Sequence, residues 1–249
     1  MNREQLLNEE ADTILQALPK DGDIKFYGCI TTGKADRLKE MVENYPELAK
    51  ILTRTVYPLR SAVMEYNIEF LQYLVSLGAS VDICGDDHET ALIKVIRRPH
   101  EDHMHKVNIP TAEKHAMKAA MINCLIELGA EVNAIDQNRR SVLQNAVVQV
   151  DTTEVLTEEN PVSLDIIKNL LDHGADPNHQ DSHGNTAMHY ILGLADQNLN
   201  WPVDVAVRVI NLLRKHKANT EITNSLGVSV SKKLNDTMML YQMAFTHSS

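Results

Sequence analysis

Apolar residues recur at helical spacing in short segments along the chain, and clear examples lie at 70–75, 121–126 and 166–171. In each segment apolar residues stand three and four positions apart, which places them on one face of a helix. A glycine follows each segment, where a helix end in the left-handed conformation carries no Cβ penalty. The pattern therefore predicts a series of short amphipathic helices that are separated by tight turns.

Two short motifs recur along the chain in the same order. The first is Leu77-Gly78-Ala79, which returns as Leu128-Gly129-Ala130 and His173-Gly174-Ala175, and in altered form as His216-Lys217-Ala218. The second is Thr90-Ala91-Leu92-Ile93, which is matched by Tyr57-Pro58-Leu59-Arg60, Ser141-Val142-Leu143-Gln144 and Thr186-Ala187-Met188-His189. Two independent motifs in a fixed order indicate a tandem repeat.

The spacing of the second motif locates the insertions. Tyr57 and Thr90 are 33 residues apart, whereas the next three intervals, which end at Ser141, Thr186 and Ser229, are 51, 45 and 43 residues. The additional residues fall between the first and second helix of a repeat, at 99–115, 151–160 and 196–202. A stack of helix pairs tolerates insertions at this place, because such loops lie at its edge.

The motifs resemble the Thr-Pro-Leu-His-x-Ala and Gly-Ala-Asp-Val-Asn signatures of the ankyrin repeat. The resemblance covers residues 23–234 and implies an all-α ankyrin-repeat solenoid of about five repeats, degenerate at both ends. We expect residues 1–22 to form an N-terminal capping helix that Pro19 ends, and residues 235–249 to form a C-terminal capping helix and tail. Lys217 replaces the helix-ending glycine of the other copies, so this helix end should be less stable or differently shaped.

Ankyrin stacks bind other proteins, so the resemblance implies a non-enzymatic protein–protein interaction module. It also implies that the partner contacts the hairpin tips and the exposed residues of the first helices, which together line a concave face. Tyr190 and Arg140 are the preferred contacts, because Tyr and Arg are enriched among binding hot spots. By alignment, the partner-binding candidates are Asp86, Asp87, Glu89, Lys94, Arg98, Gln137, Asn138, Arg140, Asn145, Gln149, Ser182, His183, Asn185 and Tyr190.

Two asparagines are candidates for modification. Asn133 and Asn178 occupy the Asn of the Gly-Ala-Asp-Val-Asn turn, and each has a leucine eight residues earlier, Leu125 and Leu170. Ankyrin asparagines in this setting resemble substrates of the host asparaginyl hydroxylase. The alternative is that asparagine stands here because it tolerates a left-handed turn.

Composition narrows the possible partners and the location. The net charge is −10, and the Lys and Arg residues form no basic stripe, so we expect no nucleic-acid partner. No apolar stretch approaches the length of a membrane span, and the N-terminus does not read as a secretory signal. The three cysteines, Cys29, Cys84 and Cys124, are widely spaced and odd in number, which predicts reduced thiols. We therefore expect a cytoplasmic monomer.

One insertion carries residues that could support metal chemistry. The insertion contains the sequence His100-Glu101-Asp102-His103-Met104-His105, and His115 follows ten residues after His105. The spacing matches no zinc-binding pattern, so a solvated polar loop is the favoured interpretation, with neither metal nor cofactor. A metal-dependent enzyme built on this insertion is the alternative from another functional class.

The remaining candidates for chemistry also favour a structural interpretation. His189 occupies the histidine of the ankyrin signature, where we expect it to hydrogen-bond the backbone between repeats. Neither a G-x-S-x-G nucleophile motif nor a phosphate-binding glycine loop is present in the sequence. The sequence therefore predicts a protein that is not an enzyme.

The long insertions resemble those of divergent ankyrin proteins that intracellular bacteria deliver into host cells. The last five residues, a hydrophobe followed by small polar residues, are similar to secretion tails of that class. This resemblance implies an effector that acts in the host cytosol. The alternative within binding modules is an endogenous cytosolic scaffold or inhibitor.

Overall fold

The computed structural model describes residues 3–85, 87–97, 111–149, 162–197 and 203–234, and these residues form helices that are joined by turns and loops. The predicted all-α class is confirmed, since this part of the chain contains no β-strand, only two isolated bridges. A further helical segment lies at 230–234. The helices are α1 (Arg3–Gln16), α2 (Gly22–Thr31), α3 (Ala35–Asn44), α4 (Leu48–Arg54), α5 (Val56–Met64), α6 (Ile68–Ser76), α7 (Ala91–Arg97), α8 (Thr111–Glu127), α9 (Val142–Val148), α10 (Val162–Asp172), α11 (Ala187–Gln197) and α12 (Val203–Lys215).

The chain divides into two compact units, each with its own contacts. The first unit comprises Met1–Val95 and Pro99–Ala130, and the second comprises Ile96–Arg98 and Glu131–Ser249. The main division follows Ala130, which is the last residue of a Leu-Gly-Ala motif. The boundary therefore falls at the end of a repeat and not in a linker of unusual composition.

In the first unit, two helix pairs pack side by side. The pair α2–α3 contacts the pair α5–α6 through α2 with α5 and through α3 with α6. The predicted N-terminal helix is present as α1, which packs against α2 and α4 and buries Ala11. Helix α4, which the sequence did not predict, connects the pairs and contacts α3, α5 and α6. Its residues Leu48, Ile51 and Leu52 are buried, so this connection is part of the core.

In the second unit, the pairs α9–α10 and α11–α12 repeat the same order of contacts. Helix α9 packs against α11, and α10 packs against α12. These helices carry fully buried side chains, among them Leu143 on α9, Leu170 on α10 and Ile191 on α11. Ser141 caps α9, since its Oγ accepts from the Gln144 N–H while the Gln144 side chain accepts from the Ser141 N–H.

The helix ends follow the glycine pattern closely. Gly78, Gly129 and Gly174 have φ angles of 98°, 90° and 88°, in the left-handed region that favours glycine. Lys217 takes the same conformation with φ 67°, and the Ala218 N–H donates to the Leu213 carbonyl just as in the glycine copies. Of the two alternatives predicted for this helix end, the differently shaped end is therefore wrong, because the hydrogen bonds impose the same turn on lysine, and the less stable end stays a prediction.

The predicted insertions are only partly described. Helix α8 begins at Thr111, so the last residues of the expected 99–115 insertion are helical, and His115 is buried on this helix. The C-terminal cap expected at 235–249 lies outside the described residues. Within the part of the chain that the structure describes, each helix is either too short or too polar to cross a membrane.

Candidate functional site

One acidic or amide side chain organises each loop tip of the second unit. Asp136 is buried, and its Oδ1 accepts from the backbone N–H groups of Asn138 and Arg140 at 2.8 and 2.9 Å. Asp181 accepts in the same way from His183 and Asn185, at 2.9 and 2.8 Å. Local bonds of this kind hold a turn in one conformation without help from a sheet.

The third loop uses a neutral residue at the same position. Asn224 Oδ1 accepts from the N–H groups of Leu226 and Val228 at 3.0 and 3.1 Å. The acceptor oxygen therefore shapes the loop, and the negative charge of Asp136 and Asp181 is not required for this geometry.

Neighbouring tips are joined to one another through the backbone. The Ser182 N–H donates to the Asn138 carbonyl at 3.2 Å, and the Ser225 N–H donates to the His183 carbonyl at 2.9 Å. The three loops thus form one connected edge of the second unit. We call the residues 137–140, 182–185 and 225–226 the tip surface.

The tip surface presents different chemistry at equivalent positions. Two residues after each organising side chain stand Asn138, His183 and Leu226, and all three are exposed. Leu226 is 85% exposed, although it is a large apolar side chain. Sequence reasoning missed Leu226, yet the repeat alignment through Ser229 contains enough information to place it at a tip.

Helix α11 supplies a cluster behind the tips. The Tyr190 hydroxyl donates to Asp181 Oδ2, and the Arg140 guanidinium lies over the Tyr190 ring, 5.3 Å from its centroid. Burial, together with the hydrogen bond to Asp181, raises the pKa of Tyr190 to about 12. Tyr190 therefore supports the loop of its own repeat and is only partly accessible.

The residues that align with Tyr190 in other repeats also bond to an acidic residue of the preceding loop. Asn145 is only 2% exposed, and its Nδ2 donates to Asp136 Oδ2 at 3.3 Å. In the first unit, Lys94 forms an ion pair with Asp87 and a second one with Glu89. Because Asn145 is buried, its side chain is not exposed for direct contact with a partner.

Burial and the surrounding hydrogen bonds also shift the pKa of Asp181. Burial alone disfavours its charged form, but hydrogen bonds from Tyr190 and from the Asn185 and His183 N–H groups outweigh it and lower the pKa of the carboxyl. The group is therefore held ionised, with its oxygens occupied by the loop and by Tyr190. It stabilises the site and is not a free acid or base.

His189 links its own helix start to the next loop, as the sequence predicted. Its Nδ1 accepts from the Thr186 N–H at 3.1 Å, so Nε2 carries the proton and donates to the Val228 carbonyl at 3.1 Å. Burial lowers the pKa of the imidazole. Gln144 holds the equivalent position one repeat earlier and donates to the Asn185 carbonyl at 2.6 Å.

The two asparagines that were predicted as modification sites bridge successive loops. Asn133 Nδ2 donates to the Gly174 carbonyl at 3.1 Å, and its Oδ1 accepts from the Asp176 N–H at 2.8 Å. Asn178 makes the same two bonds to Lys217 and Asn219, at 3.1 and 2.7 Å. This geometry gives both residues a structural role, and their hydroxylation stays a prediction.

The structure divides the other predicted contact residues into three groups. Residues on the tip surface lie together, and Gln137, Asn138, Ser182 and His183 are exposed there while Arg140 and Asn185 are partly buried. Gln149, Asp87, Glu89 and Lys94 are partly buried, the last three around the loop before α7. Asp86 and Arg98 lie outside the described residues.

The structure brings no metal-binding group of side chains together within the described ranges. His100, His103 and His105 lie outside those ranges, while the fourth histidine of the proposed cluster, His115, is buried on α8. No protein-family model matches the chain, and its comparison with curated proteins finds no significant relative.

Proposed function

We propose that this protein is a non-enzymatic binding module made of divergent ankyrin repeats, and that its second unit recognises a partner protein through the tip surface. The repeated helix pairs, the left-handed helix ends and the asparagine bridges support the ankyrin assignment. The observation that carries the binding proposal is the tip surface itself. Its backbone is fixed by hydrogen bonds, while its outward side chains differ from loop to loop.

A fixed backbone with variable side chains favours recognition. Ordering a mobile loop on binding costs free energy, and preorganised loops avoid most of that cost. The side chains at the tips include an amide, an imidazole and an isobutyl group, which together can satisfy polar contacts around one apolar anchor. Arg140 adds a guanidinium that stacking on Tyr190 already orients, and its planar fork fits a carboxylate of the partner.

Photo-crosslinking tests the location of this surface. A photoreactive phenylalanine analogue is placed singly at Asn138, His183 or Leu226, and at Lys168 or Arg208 as exposed controls on second helices. In cell extract the tip positions should yield a discrete protein adduct that excess wild-type protein suppresses, and the control positions should not. Adducts from α10 or α12 alone, or no suppressible adduct from any tip, would contradict the proposal.

Loss of binding in a tip variant provides the second arm. The variant Asn138→Ala/His183→Ala/Leu226→Ala removes three exposed side chains, so circular dichroism and melting should stay near wild type. Its affinity for the crosslinked partner should fall by about tenfold or more. Unchanged affinity would place recognition in the insertions, and trimming residues 99–110 to a short turn would test that alternative directly.

The cellular setting separates two forms of the proposal. An effector delivered into a host cytosol should lose secretion when residues 235–249 are removed, whereas an endogenous cytosolic scaffold should not change its location. Both forms predict a protein partner and the same tip surface. Metal analysis of the purified chain tests the enzyme alternative, which requires a bound metal ion at a stoichiometric level.

A further inference from the structure

The first unit exposes three large hydrophobic side chains on its first helices. Ile24 and Tyr27 lie on α2 and are 69% and 40% exposed, and Tyr57 on α5 is 45% exposed. Ile24 and Tyr27 are three residues apart and therefore share one face of α2. The Tyr27 and Tyr57 rings meet edge to face, with their centroids 6.4 Å apart. We call these three residues the aromatic patch.

Contacts with neighbouring residues of α2 orient the two tyrosine rings of the patch. Phe26, which is fully buried, lies 5.8 Å from the Tyr27 ring. The Tyr57 hydroxyl is 2.7 Å from Thr31 Oγ1, and that same oxygen donates to the Tyr27 carbonyl at 2.9 Å. The rings are thus oriented before any ligand arrives, which lowers the entropy cost of binding.

Carboxylates border the patch. Asp12 on α1 and Asp23 on α2 are both exposed, and they act on the Tyr27 hydroxyl, whose pKa is raised first by burial and then by Asp12, Tyr57 and Asp23. Among the described residues, neither Asp12 nor Asp23 takes part in an ion pair. Arg60, a cation on the same helix as Tyr57, acts instead on Asp87. The patch is therefore apolar at its centre and carries carboxylates at its α1 and α2 side, next to Tyr27, while the exposed cation Arg60 lies at its α5 side.

We propose that the aromatic patch is a second docking surface and that it binds a segment of a partner protein in which a Lys or Arg stands next to an apolar side chain. The apolar group packs on Ile24 and the tyrosine rings, and the cation lies between the ring faces and the carboxylates of Asp12 and Asp23. This surface belongs to the first unit and does not depend on the tip surface proposed above.

Charge argues against two other occupants. A second copy of the chain would bring its own Asp12 and Asp23 against the same carboxylates in a symmetric contact, and each chain carries a net charge of −10. The apolar C-terminal sequence 235–249 contains no Lys or Arg and so offers no cation to the carboxylates of Asp12 and Asp23. A basic, apolar segment of another protein satisfies both parts of the surface.

A selection from a random peptide library on the full-length protein tests this proposal. Peptides that bind wild type are then passed over the variant Tyr27→Ala/Tyr57→Ala, and those that bind the variant are discarded. The remaining peptides are synthesised, and their affinity is measured by fluorescence polarisation. We expect them to combine a Lys or Arg with an adjacent aromatic or aliphatic residue. Enrichment of acidic peptides, or equal enrichment on both proteins, overturns the proposal.

Single variants then resolve the two parts of the surface. Tyr27→Ala and Tyr57→Ala should each weaken the selected peptide by about tenfold. The variant Asp12→Asn/Asp23→Asn should weaken it by a smaller factor, about threefold, and reduce its salt dependence. Tyr27→Phe keeps the ring and should bind nearly as well as wild type, and circular dichroism and melting of the alanine variants show whether they remain folded.

Controls keep this proposal separate from the tip surface and from other occupants. Val207→Ala changes another exposed apolar side chain, in the second unit, and should leave peptide affinity unchanged, as should the triple tip variant. If deleting residues 235–249 raises peptide affinity, the chain's own C-terminus occupies the patch and the proposal is wrong. Concentration-dependent dimers that Tyr57→Ala abolishes would overturn it in favour of a second copy.

Discussion

One connection in the first unit differs in kind from the loops of the second unit. In the first unit, the connection between α3 and α5 is the helix α4, which buries Leu48, Ile51 and Leu52. In the second unit, polar loops precede α9, α11 and the helical segment at 230–234, and Asp136, Asp181 and Asn224 hold them in shape. The loop before α7 in the first unit is of the same kind, since Asp87 Oδ1 accepts from the Glu89 N–H at 3.2 Å. The first kind of connection adds to the core, and the second kind presents an ordered edge to solvent.

The kind of connection determines which part of a helix pair exposes residues that a partner could contact. Where a loop connects the pairs, the exposed and variable residues are at the tips, and the first-helix residues Asn145 and Tyr190 are used to support the loops. Where α4 connects the pairs, the exposed apolar residues are on α2 and α5. The same repeat pattern can therefore offer two surfaces of opposite character, one polar at a loop edge and one aromatic on helix faces.

Core truncations should have the largest effects and should be similar in the two units. Leu52→Ala in α4 and Leu170→Ala in α10 each remove a fully buried side chain, which costs about 2–5 kcal/mol of the free energy of unfolding. Leu125→Ala in α8 should fall in the same range, since Leu125 is also fully buried. Urea denaturation measures the loss, and Lys168→Ala on the exposed side of α10 serves as the control.

Hydrogen exchange shows where each truncation acts. In a stack, stability passes between neighbouring elements, so Leu170→Ala should deprotect α9–α12 and Leu52→Ala should deprotect α2–α6. If Leu52→Ala changed hydrogen exchange only slightly, α4 would not be part of the core of the first unit.

Loop variants should have the next largest effect, and the loop before α11 is the clearest place to measure it. Asp181→Ala leaves the partly buried N–H groups of His183 and Asn185 without their acceptor and the Tyr190 hydroxyl without its partner, which should cost about 1–3 kcal/mol. Asp181→Asn keeps an acceptor oxygen, as Asn224 does naturally, and should cost about 1 kcal/mol or less. Equal losses from the two variants in denaturation experiments would show that charge, and not the acceptor, holds the loop.

The pH dependence of these variants follows from the lowered pKa of Asp181. The folded protein holds the carboxylate ionised more strongly than the unfolded chain does, so its contribution is complete above the unfolded value of about 3.9. It is lost as the pH falls through the lower folded value. Asp181→Asn should therefore remove part of the acid sensitivity that wild type shows in this range.

His189→Gln should change stability little near neutral pH, by about 1 kcal/mol or less, because Gln144 makes the equivalent bonds one repeat earlier. Its effect should appear in acid. The folded protein resists protonation of His189, so wild type should lose stability as the pH drops below the unfolded value of about 6.5. The free energy of unfolding of wild type and of His189→Gln is measured across this pH range, and the difference between them gives the contribution of His189. Parallel pH profiles of the two proteins would contradict the prediction.

The sequence was sufficient for the features that repeat. Glycine at helix ends and His189 between repeats have local causes that a single chain displays at several positions. Helix α4 occurs once, so comparison between copies could not find it, although Leu48, Ile51 and Leu52 have helical spacing after Pro46.

The candidate surface was harder to predict than the helices. A repeat alignment says which residues are equivalent but not how their side chains are used, because that depends on packing across neighbouring elements. Asn145 and Tyr190 align with exposed positions of the repeat, yet both bond to the aspartate of their own loop. Tyr27 and Tyr57 form a patch only because α2 and α5 lie side by side, a contact that no local pattern specifies.

The smallest predicted effect concerns Lys217, which stands at a helix end where three other copies of the motif have glycine. Lys217 holds φ 67° with the hydrogen bonds of the glycine copies, so it bears the Cβ penalty of the left-handed region without changing the turn. Lys217→Gly should therefore stabilise the second unit by about 0.5–1 kcal/mol, a value reduced by the greater freedom of glycine in the unfolded chain. The mirror variant Gly174→Ala, at φ 88° with open space around the added Cβ, should destabilise by a similar amount through backbone strain alone. Thermal denaturation of both variants measures the pair, and a Lys217→Gly protein less stable than wild type would mean that the lysine side chain contributes more than its backbone conformation costs.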